Sequence, residues 1–170
     1  MTDPTIRLAT TADVRGIQRL FTQGDAHHAR LLPDVFRPAG EARPDELMES
    51  QIESPDSDYL VAAAGSRIVG FLNLAEDSRP AHPIFVPKRF AVVESMVVAE
   101  EFRDRGIGTR LLEEAEAWAR ARGLESVQLN VWADNLAAIR LYQRLGYETI
   151  SQKMELDLQG SGASDRVVRP

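Results

Sequence analysis

The chain of 170 residues contains no cysteine at all. Without thiols it can form neither disulfides nor thiolate metal sites, and a cysteine nucleophile is excluded. This composition fits a protein that works in a reducing compartment, and we expect it to be cytoplasmic.

Long apolar runs and excess positive charge are also lacking. No apolar run approaches the roughly 20 residues that a membrane-spanning helix needs. The beginning, "MTDPTIRLATTAD", lacks the charged and apolar segments of a signal peptide. The net charge of -6 leaves no general positive field for nucleic acid. We therefore expect neither a membrane nor a nucleic-acid partner, and the acidic surface modestly favours cationic small molecules.

What remains is the composition of an ordinary globular domain. Hydrophobic residues make up 44% of the chain, and a chain of this length can bury about 70% of its unfolded surface. We predict one domain over residues 1–158. Residues 159–170, "QGSGASDRVVRP", are small and polar, and we predict that they form a flexible tail.

Hydrophobic periodicity and turn residues predict a mixed α/β domain with helices on both faces of a central sheet. A capping-box spacing at Thr10 and Asp13 opens the first helix. Residues 76–90 carry three prolines and are predicted to be a loop or a ragged edge. Helices are predicted from about 11 to the high twenties, over 45–54, from about 107 to Gly123, and over 134–145. Strands are predicted over 5–9, 58–64, 67–75, 91–99, 125–133 and 147–158.

The stretch "RDRGIGTR", residues 103–110, places two glycines where a strand passes into a helix. The first turn of a helix has free N–H groups and about half a positive charge from the macrodipole. Gly106 and Gly108 let an anion approach the backbone. Three arginines stand here against one acid, Asp104, in a chain that is acidic overall. The turn therefore favours a polyanion such as a pyrophosphate.

Two familiar phosphate loops do not fit this turn. A Walker loop needs Lys followed by Ser or Thr after its second glycine, but Gly108 is followed by Thr109 and Arg110. A dinucleotide fingerprint needs a third glycine where this chain has Leu111. A plain helix cap with a solvated, charged turn stays open as the alternative.

A later helix carries a second polar pair. Asn135 and Tyr142 are seven residues apart, so they project from one helix face at a separation of about 10 Å along the axis. An amide and a phenol in this arrangement can contact two parts of one elongated ligand. Asn135 could instead be only an N-cap, and Tyr142 could be only a core residue.

The segments "ESMVVAEEFRDRGIGTRLLEEAEAWARARG" and "VQLNVWADNLAAIRLYQRLGYE" together resemble the acetyl-CoA-binding half of the GNAT superfamily of N-acetyltransferases. The matching features are the Arg-x-x-Gly-x-Gly turn and the run from Asn135 to Tyr147, and the resemblance extends from Val92 to about Leu158. It implies a single-domain α/β fold with a mixed, mostly antiparallel sheet of six or seven strands. The central strands would be splayed, and about four helices would flank the sheet.

The resemblance further implies that acetyl-CoA is the cosubstrate. Its pantetheine arm would add to the backbone of the splayed strand at Met96, Val97 and Val98. Asn135 would contact the same arm, and the hydroxyl of Tyr142 would lie near the thioester sulfur. The pyrophosphate would bind the turn formed by Arg103, Asp104, Arg105, Gly106, Ile107, Gly108 and Thr109.

The chemistry so implied is direct attack of a primary amine on the thioester in a ternary complex. Tyr142 would protonate the departing thiolate, and a backbone N–H of Val97 or Val98 would stabilise the oxyanion. Glu94 is the candidate base, because simple alternation puts it on the same strand face as Met96 and Val98. A salt-bridging role for Glu94, or a water chain as the base, stays open.

The acceptor amine, a small molecule or a protein amine, is expected to bind between the loop after the first helix and the loop before Ala91. These segments contain His27, His28 and His82. Adjacent histidines lack the spacing of a helical metal pair, so we expect no metal. A homodimer is expected by analogy alone. The alternative function is a non-catalytic GNAT-like domain that binds or senses CoA.

Overall fold

The computed structural model describes residues 3–37, 43–55, 57–156 and 158, so the tail predicted at 159–170 lies outside the described residues. None of the described helices combines the length and apolarity needed to cross a bilayer. Two short 3-10 turns, at Thr11–Asp13 and Glu100–Phe102, precede helices. The helices are α1 (Val14–Leu31), α2 (Asp45–Ile52), α3 (Ile107–Ala121) and α4 (Leu136–Arg144). The strands are β1 (Thr5–Leu8), β2 (Ser57–Ala64), β3 (Arg67–Arg79), β4 (Lys88–Val98) and β5 (Val127–Leu129).

The strands form one sheet in the order β1-β2-β3-β4-β5. The first three pairings are antiparallel, and β4 pairs with β5 in parallel. A parallel pairing requires a crossover, which α3 supplies. The mixed, mostly antiparallel sheet and the four helices confirm the prediction. The described residues form five strands, however, rather than six or seven.

The strand predicted at 147–158 accounts for part of this difference. The described part of this segment is irregular. Its alternating apolar side chains remain solvent-exposed, at 77% for Ile150, 88% for Met154, 66% for Leu156 and 85% for Leu158. An alternating pattern shows which face a strand would bury, but a strand also needs a neighbouring edge to pair its backbone groups. β5 is likewise shorter than the predicted 125–133.

The loop predicted at 76–90 is wrong at both ends. β3 and β4 continue as a two-stranded ribbon, in which Glu76 pairs with Ala91 and Arg79 pairs with Lys88. Only residues 80–87 remain outside the strands, and they contain all three prolines. Proline lacks the N–H that a strand ladder needs. The two-stranded ribbon therefore ends where the prolines begin, and its charged residues do not prevent pairing.

Both faces of the sheet are covered by helices, as expected. Alternate residues of β2 enter different clusters, with Tyr59 and Val61 in one and Leu60 and Ala62 in the other. The first cluster also contains Ile17 of α1 and Met48 of α2, whereas the second contains Leu111, Leu112 and Ala115 of α3. We call these sides of the sheet the α1 face and the α3 face.

The start of α1 is held by the predicted acid. The carboxylate of Asp13 accepts the backbone N–H of Thr10 at 2.8 Å and two guanidinium N–H groups of Arg7 at 2.7 and 2.8 Å. The hydrogen bonds from Arg7 and then the one from Thr10 lower the pKa of Asp13 against the opposing effect of burial. This cap sets the course of the helix that carries His27 and His28.

Candidate functional site

The glycine turn before α3 has an unusual backbone. Asp104 and Gly106 have φ angles of 58° and 75°, and Gly106 is the N-cap of the helix. Among the described residues, no acceptor lies within hydrogen-bond distance of any backbone N–H from Asp104 to Thr109, whereas the N–H of Arg110 donates to the Gly106 carbonyl at 3.0 Å. Consecutive free N–H groups in left-handed and right-handed alternation form an anion-binding concavity.

The arginines around this turn have different roles. The N–H of Arg103 donates to the Glu100 carbonyl at 3.3 Å, so that residue's amide is not free for a ligand. Its side chain is half-buried, and Nε lies 3.4 Å from the Val98 carbonyl, which ties the turn to the end of β4. Arg105 is exposed, and its guanidinium lies 5.1 Å from the centre of the Phe102 ring. The set of backbone N–H groups that is free to bind a pyrophosphate is therefore 104–109, rather than the predicted 103–109.

The two glycines serve different purposes. A Cβ on Gly106 would meet no atom within 4 Å, so this glycine is required by its positive φ. A Cβ on Gly108 would lie 3.3 Å from Leu141 and 3.9 Å from Met96. Gly108 therefore lets the first turn of α3 pack closely against α4 and β4.

An open strand edge lies beside this turn. β5 pairs with β4 only at Ala91, Val92 and Val93, whereas β4 continues to Val98 against β3. Beyond Val93 the two parallel strands therefore separate, and this is where the splay was expected. A ligand chain can reach unpaired backbone groups along this part of β4.

The register of the β3–β4 pair shows which groups point into the opening. The N–H of Ala99 donates to the Val69 carbonyl at 2.9 Å. Because bonded and non-bonded pairs alternate in an antiparallel ladder, Val97 is bonded to β3, while Met96 and Val98 point away from it. The prediction that the backbone of Val97 faces the ligand is therefore wrong, and Met96 and Val98 retain that position.

Asn135 has the N-cap role that the sequence left open. Its Oδ1 accepts the backbone N–H of Ala138 at 3.3 Å and so begins α4. The cap uses the oxygen of the amide, so the Nδ2 group is the part that can donate to a ligand.

Tyr142, two turns further along α4, is half-buried in the same apolar cluster as Met96 and Val98. Its ring centre lies 5.8 Å from that of Tyr147. Burial raises the pKa of Tyr142 above its usual value, so the hydroxyl stays protonated at neutral pH and can donate a hydrogen. Core packing and a ligand-facing role are thus compatible.

Glu94 lies in a bulge of β4. Asn73 of β3 pairs with Ser95 and Leu74 pairs with Val93, so Glu94 is the extra residue between them. A bulge interrupts the strict alternation of side chains along a strand. The Glu94 carboxylate accepts a hydrogen bond from Nδ2 of Asn73 at 2.8 Å.

This bulge moves Glu94 to a different face from the one expected. Leu72 and Leu74, on either side of Asn73, pack in the α3 cluster, so Asn73 points to the α1 face. Its hydrogen bond brings the Glu94 carboxylate to the same side, whereas Met96 packs toward α3. The expectation that Glu94 shares a face with Met96 is therefore wrong.

The α1 face holds a polar cluster around Glu94. The Tyr59 hydroxyl donates to Oε1 of Gln51 at 3.2 Å. Burial, and next the negative charge of Glu94, raise the pKa of Tyr59. Asn73 is only 7% exposed, and among the described residues no donor lies within reach of its Oδ1.

An aromatic row near the end of α1 was not anticipated from the sequence. The ring of His28 stacks on Phe36 with centres 5.1 Å apart, and Phe36 meets Trp132 edge-on at 5.4 Å. The row joins the end of α1 to the segment between β5 and α4. Trp132 looked like an ordinary residue of the predicted strand 125–133, and no local signal marked it as part of a site.

The other two histidines lie in different places. Burial, and next the positive charge of Arg103, lower the pKa of His27. His82 lies in the loop between β3 and β4, with its ring 5.6 Å from that of Phe85. No group of three or more potential ligand side chains within the described part of the chain is arranged to hold a metal.

Comparison with known proteins agrees with this geometry. A sequence model of the "Acetyltransferase (GNAT) family" matches residues 28–147. The Bacillus subtilis protein YhfO, named an uncharacterized N-acetyltransferase, is 28% identical over 144 residues, which are 84% of this chain and 89% of that protein. A second such protein, YobR, is 40% identical over 60 residues, which are 35% of this chain but only 24% of YobR.

Solved structures show the same fold. A tetramutant of the BH1408 protein from Bacillus halodurans aligns with a TM-score of 0.85 and 26% identity, over 91% of this chain and 99% of that one. The aminoglycoside N-acetyltransferase AAC(6')-Iy, solved in complex with CoA, aligns with a TM-score of 0.67 and 16% identity, over 92% and 95% of the two chains. The match of the family model over most of the chain and the shared fold establish that this protein belongs to the GNAT family of acetyltransferases.

Proposed function

We propose that the protein is an acetyl-CoA-dependent N-acetyltransferase that moves an acetyl group to a primary amine by direct attack in a ternary complex. The observation that carries the proposal is the run of free N–H groups from Asp104 to Thr109 beside the open edge of β4. The first suits a pyrophosphate and the second suits an amide-containing arm. CoA combines both in one molecule, and the related fold of AAC(6')-Iy was solved with CoA.

The cofactor contacts follow from these groups. The amides of 104–109 would hold the pyrophosphate, with Arg105 as the exposed charge at the rim and Arg103 as a support behind the turn. The backbone of Met96 and Val98 would pair with the pantetheine arm, and Nδ2 of Asn135 would donate to it. Of the two residues considered for the oxyanion, Val98 keeps an N–H that points to the open edge.

The proposed reaction removes two protons from the acceptor nitrogen and replaces the C–S bond of the thioester with a C–N bond. Glu94 takes a proton from the acceptor ammonium, and the freed electron pair on nitrogen attacks the thioester carbonyl. The new C–N bond forms as the C–S bond breaks. The departing thiolate takes the proton of the Tyr142 hydroxyl, which burial keeps protonated at neutral pH. The amide nitrogen, which is cationic after the attack, then loses its second proton, and that proton restores the Tyr142 hydroxyl.

The acceptor is proposed only as a primary amine, on a small molecule or on a protein. The aromatic row His28–Phe36–Trp132 and the cluster around Glu94 line the side from which it would enter. The solved structures with this fold include an aminoglycoside N-acetyltransferase and a ribosomal-protein-alanine N-acetyltransferase, whose names indicate different acceptor amines. A cytoplasmic location and a homodimer both stay predictions.

A thiol-release assay with acetyl-CoA against a panel of amines tests the function. We expect amine-dependent release of CoA and a mass increase of one acetyl group on the amine. Thermal unfolding with CoA is the companion measurement, because a ligand that binds only the folded protein must stabilise it. Stabilisation by CoA with no release for any amine would favour the binding or sensing alternative. The absence of both stabilisation and release would overturn the proposal.

A further inference from the structure

The side-chain amide of Asn73 has a hydrogen-bond partner for its nitrogen but not for its oxygen. Nδ2 of Asn73 donates to one carboxylate oxygen of Glu94 at 2.8 Å. The Oδ1 atom of the same amide is buried and has no donor among the described residues. An unpaired buried carbonyl is unfavourable, and a second protonation state of Glu94 would give it a partner.

A protonated carboxyl group would supply the missing donor. An ionised carboxylate only accepts hydrogen bonds, but a carboxylic acid also has an O–H group. A carboxylic acid and a primary amide can therefore form two hydrogen bonds, one in each direction. The bulge at Glu94 brings the two side chains together on the α1 face. The charge of Glu94 also acts on Tyr59 of β2, whose pKa it helps to raise.

We propose, on the basis of the function above, that Asn73 is a positioning residue for the reaction. Its Nδ2 holds the Glu94 carboxylate on the acceptor side. Its Oδ1 accepts the new O–H hydrogen after Glu94 has taken a proton from the amine. The N–H bond of the ammonium breaks, the O–H bond forms on Glu94, and the proton later returns to solvent.

Thermal unfolding of Glu94→Gln tests the pairing without any acetyl transfer. Glutamine is neutral and has an N–H donor, so it imitates the protonated carboxyl and can satisfy Oδ1 of Asn73. We expect a Tm rise of about 2–4 °C, as one additional hydrogen bond would give in a domain of this size. In the Asn73→Leu background the same Glu94→Gln change should give no rise. An unchanged or lower Tm for the single variant Glu94→Gln would overturn the proposal.

A kinetic double-mutant cycle tests the positioning role. Asn73→Leu keeps the size of the side chain and should lower kcat by about 10–100-fold, with the KM for acetyl-CoA unchanged. In the Glu94→Gln background Asn73→Leu should cause no further loss, because Asn73 acts through Glu94. An equal loss in both backgrounds would make Asn73 a structural residue only.

The two experiments separate failure of this inference from failure of the proposed function. If the wild-type protein transfers acetyl to no amine in the panel, the function fails while the Tm measurement still decides the pairing. If the wild-type protein is active and Asn73→Leu is equally active, the positioning role alone fails. The Glu94→Gln measurement needs no variant of Asn73, so poor folding of Asn73→Leu would not prevent a result.

Discussion

The groups proposed above to bind the cofactor and those proposed to bind the acceptor differ in kind. On the cofactor side, backbone N–H groups from Asp104 to Thr109 are presented by a single turn and the helix that follows it. On the proposed acceptor side, the groups are side chains that come from distant segments: Asn73, Glu94, Phe36 and Trp132. Backbone recognition depends on local conformation and tolerates many side chains, whereas side-chain recognition changes with every substitution. We therefore expect acetyl-CoA binding to be generic and acceptor choice to be particular to this chain.

Tyr142→Phe should produce the largest effect. It tests whether the Tyr142 hydroxyl, on the proposed cofactor side, is the general acid of the reaction. Removal of the hydroxyl should lower kcat by about 10²-fold, as loss of a general acid does. The affinity for CoA should change little, because the ring and its packing are retained. Steady-state kinetics with CoA titration check both. Wild-type turnover would make Tyr142 a packing residue only.

Arg105→Glu should weaken CoA binding by about 10-fold at low salt, because a charge at the rim of the turn is reversed. The loss should shrink as the ionic strength rises. Titration of CoA at two salt concentrations measures this effect. Arg15→Glu, an exposed arginine on α1, is the matched control with the same charge change. Equal effects of the two variants would indicate a general rather than a local charge.

Gly106→Ala should destabilise the fold by about 1 kcal/mol, because alanine is strained at a φ of 75°. It should also weaken CoA binding, since the turn would relax away from its left-handed conformation. Gly65→Ala is a matched control, because Gly65 has a φ of 61° and no atom within 4 Å of an added Cβ. Urea unfolding should show similar losses for both, and only Gly106→Ala should alter CoA affinity. Normal CoA binding by Gly106→Ala would show that the turn does not bind the cofactor.

Trp132→Ala should have the smallest effect, on the acceptor side alone. We expect the KM for the amine to rise by roughly three-fold, because Trp132 is 47% exposed and would bury only part of its ring against the amine. The KM for acetyl-CoA should stay the same. Ile84→Ala, at an exposed residue of the loop between β3 and β4, controls for general surface effects. A change in the KM for acetyl-CoA instead would show that the aromatic row His28–Phe36–Trp132 contacts the cofactor rather than the amine.

The residues proposed to bind the cofactor could be selected from the sequence because their signals are local. The glycines, the arginines and the seven-residue spacing of Asn135 and Tyr142 are each read within a few turns of chain. Even so, the ladder register was needed to see that Val97 faces β3 while Met96 and Val98 face the opening. Register depends on which strand lies opposite, and that information is not in the strand itself.

The acceptor side was much less predictable. The bulge at Glu94 depends on the pairing of β3 with β4, and it reversed the face assigned by simple alternation. The meeting of Phe36 with Trp132 joins residues almost a hundred positions apart. Likewise, the alternation in 147–158 described a potential strand but could not show whether an edge would be available.

The sequence by itself determined the order of helices and strands as far as α4, the glycine turn before α3 and the family. These depend on periodicity, turn chemistry and short motifs, whose physical causes act between neighbouring residues. Only the tertiary structure decided where β4 separates from β5, which backbone groups face that opening, and that Asn73 holds Glu94 on the α1 face. These features depend on strand pairing and packing between remote segments, because a side chain's surroundings are set by whatever lies across from it in the fold.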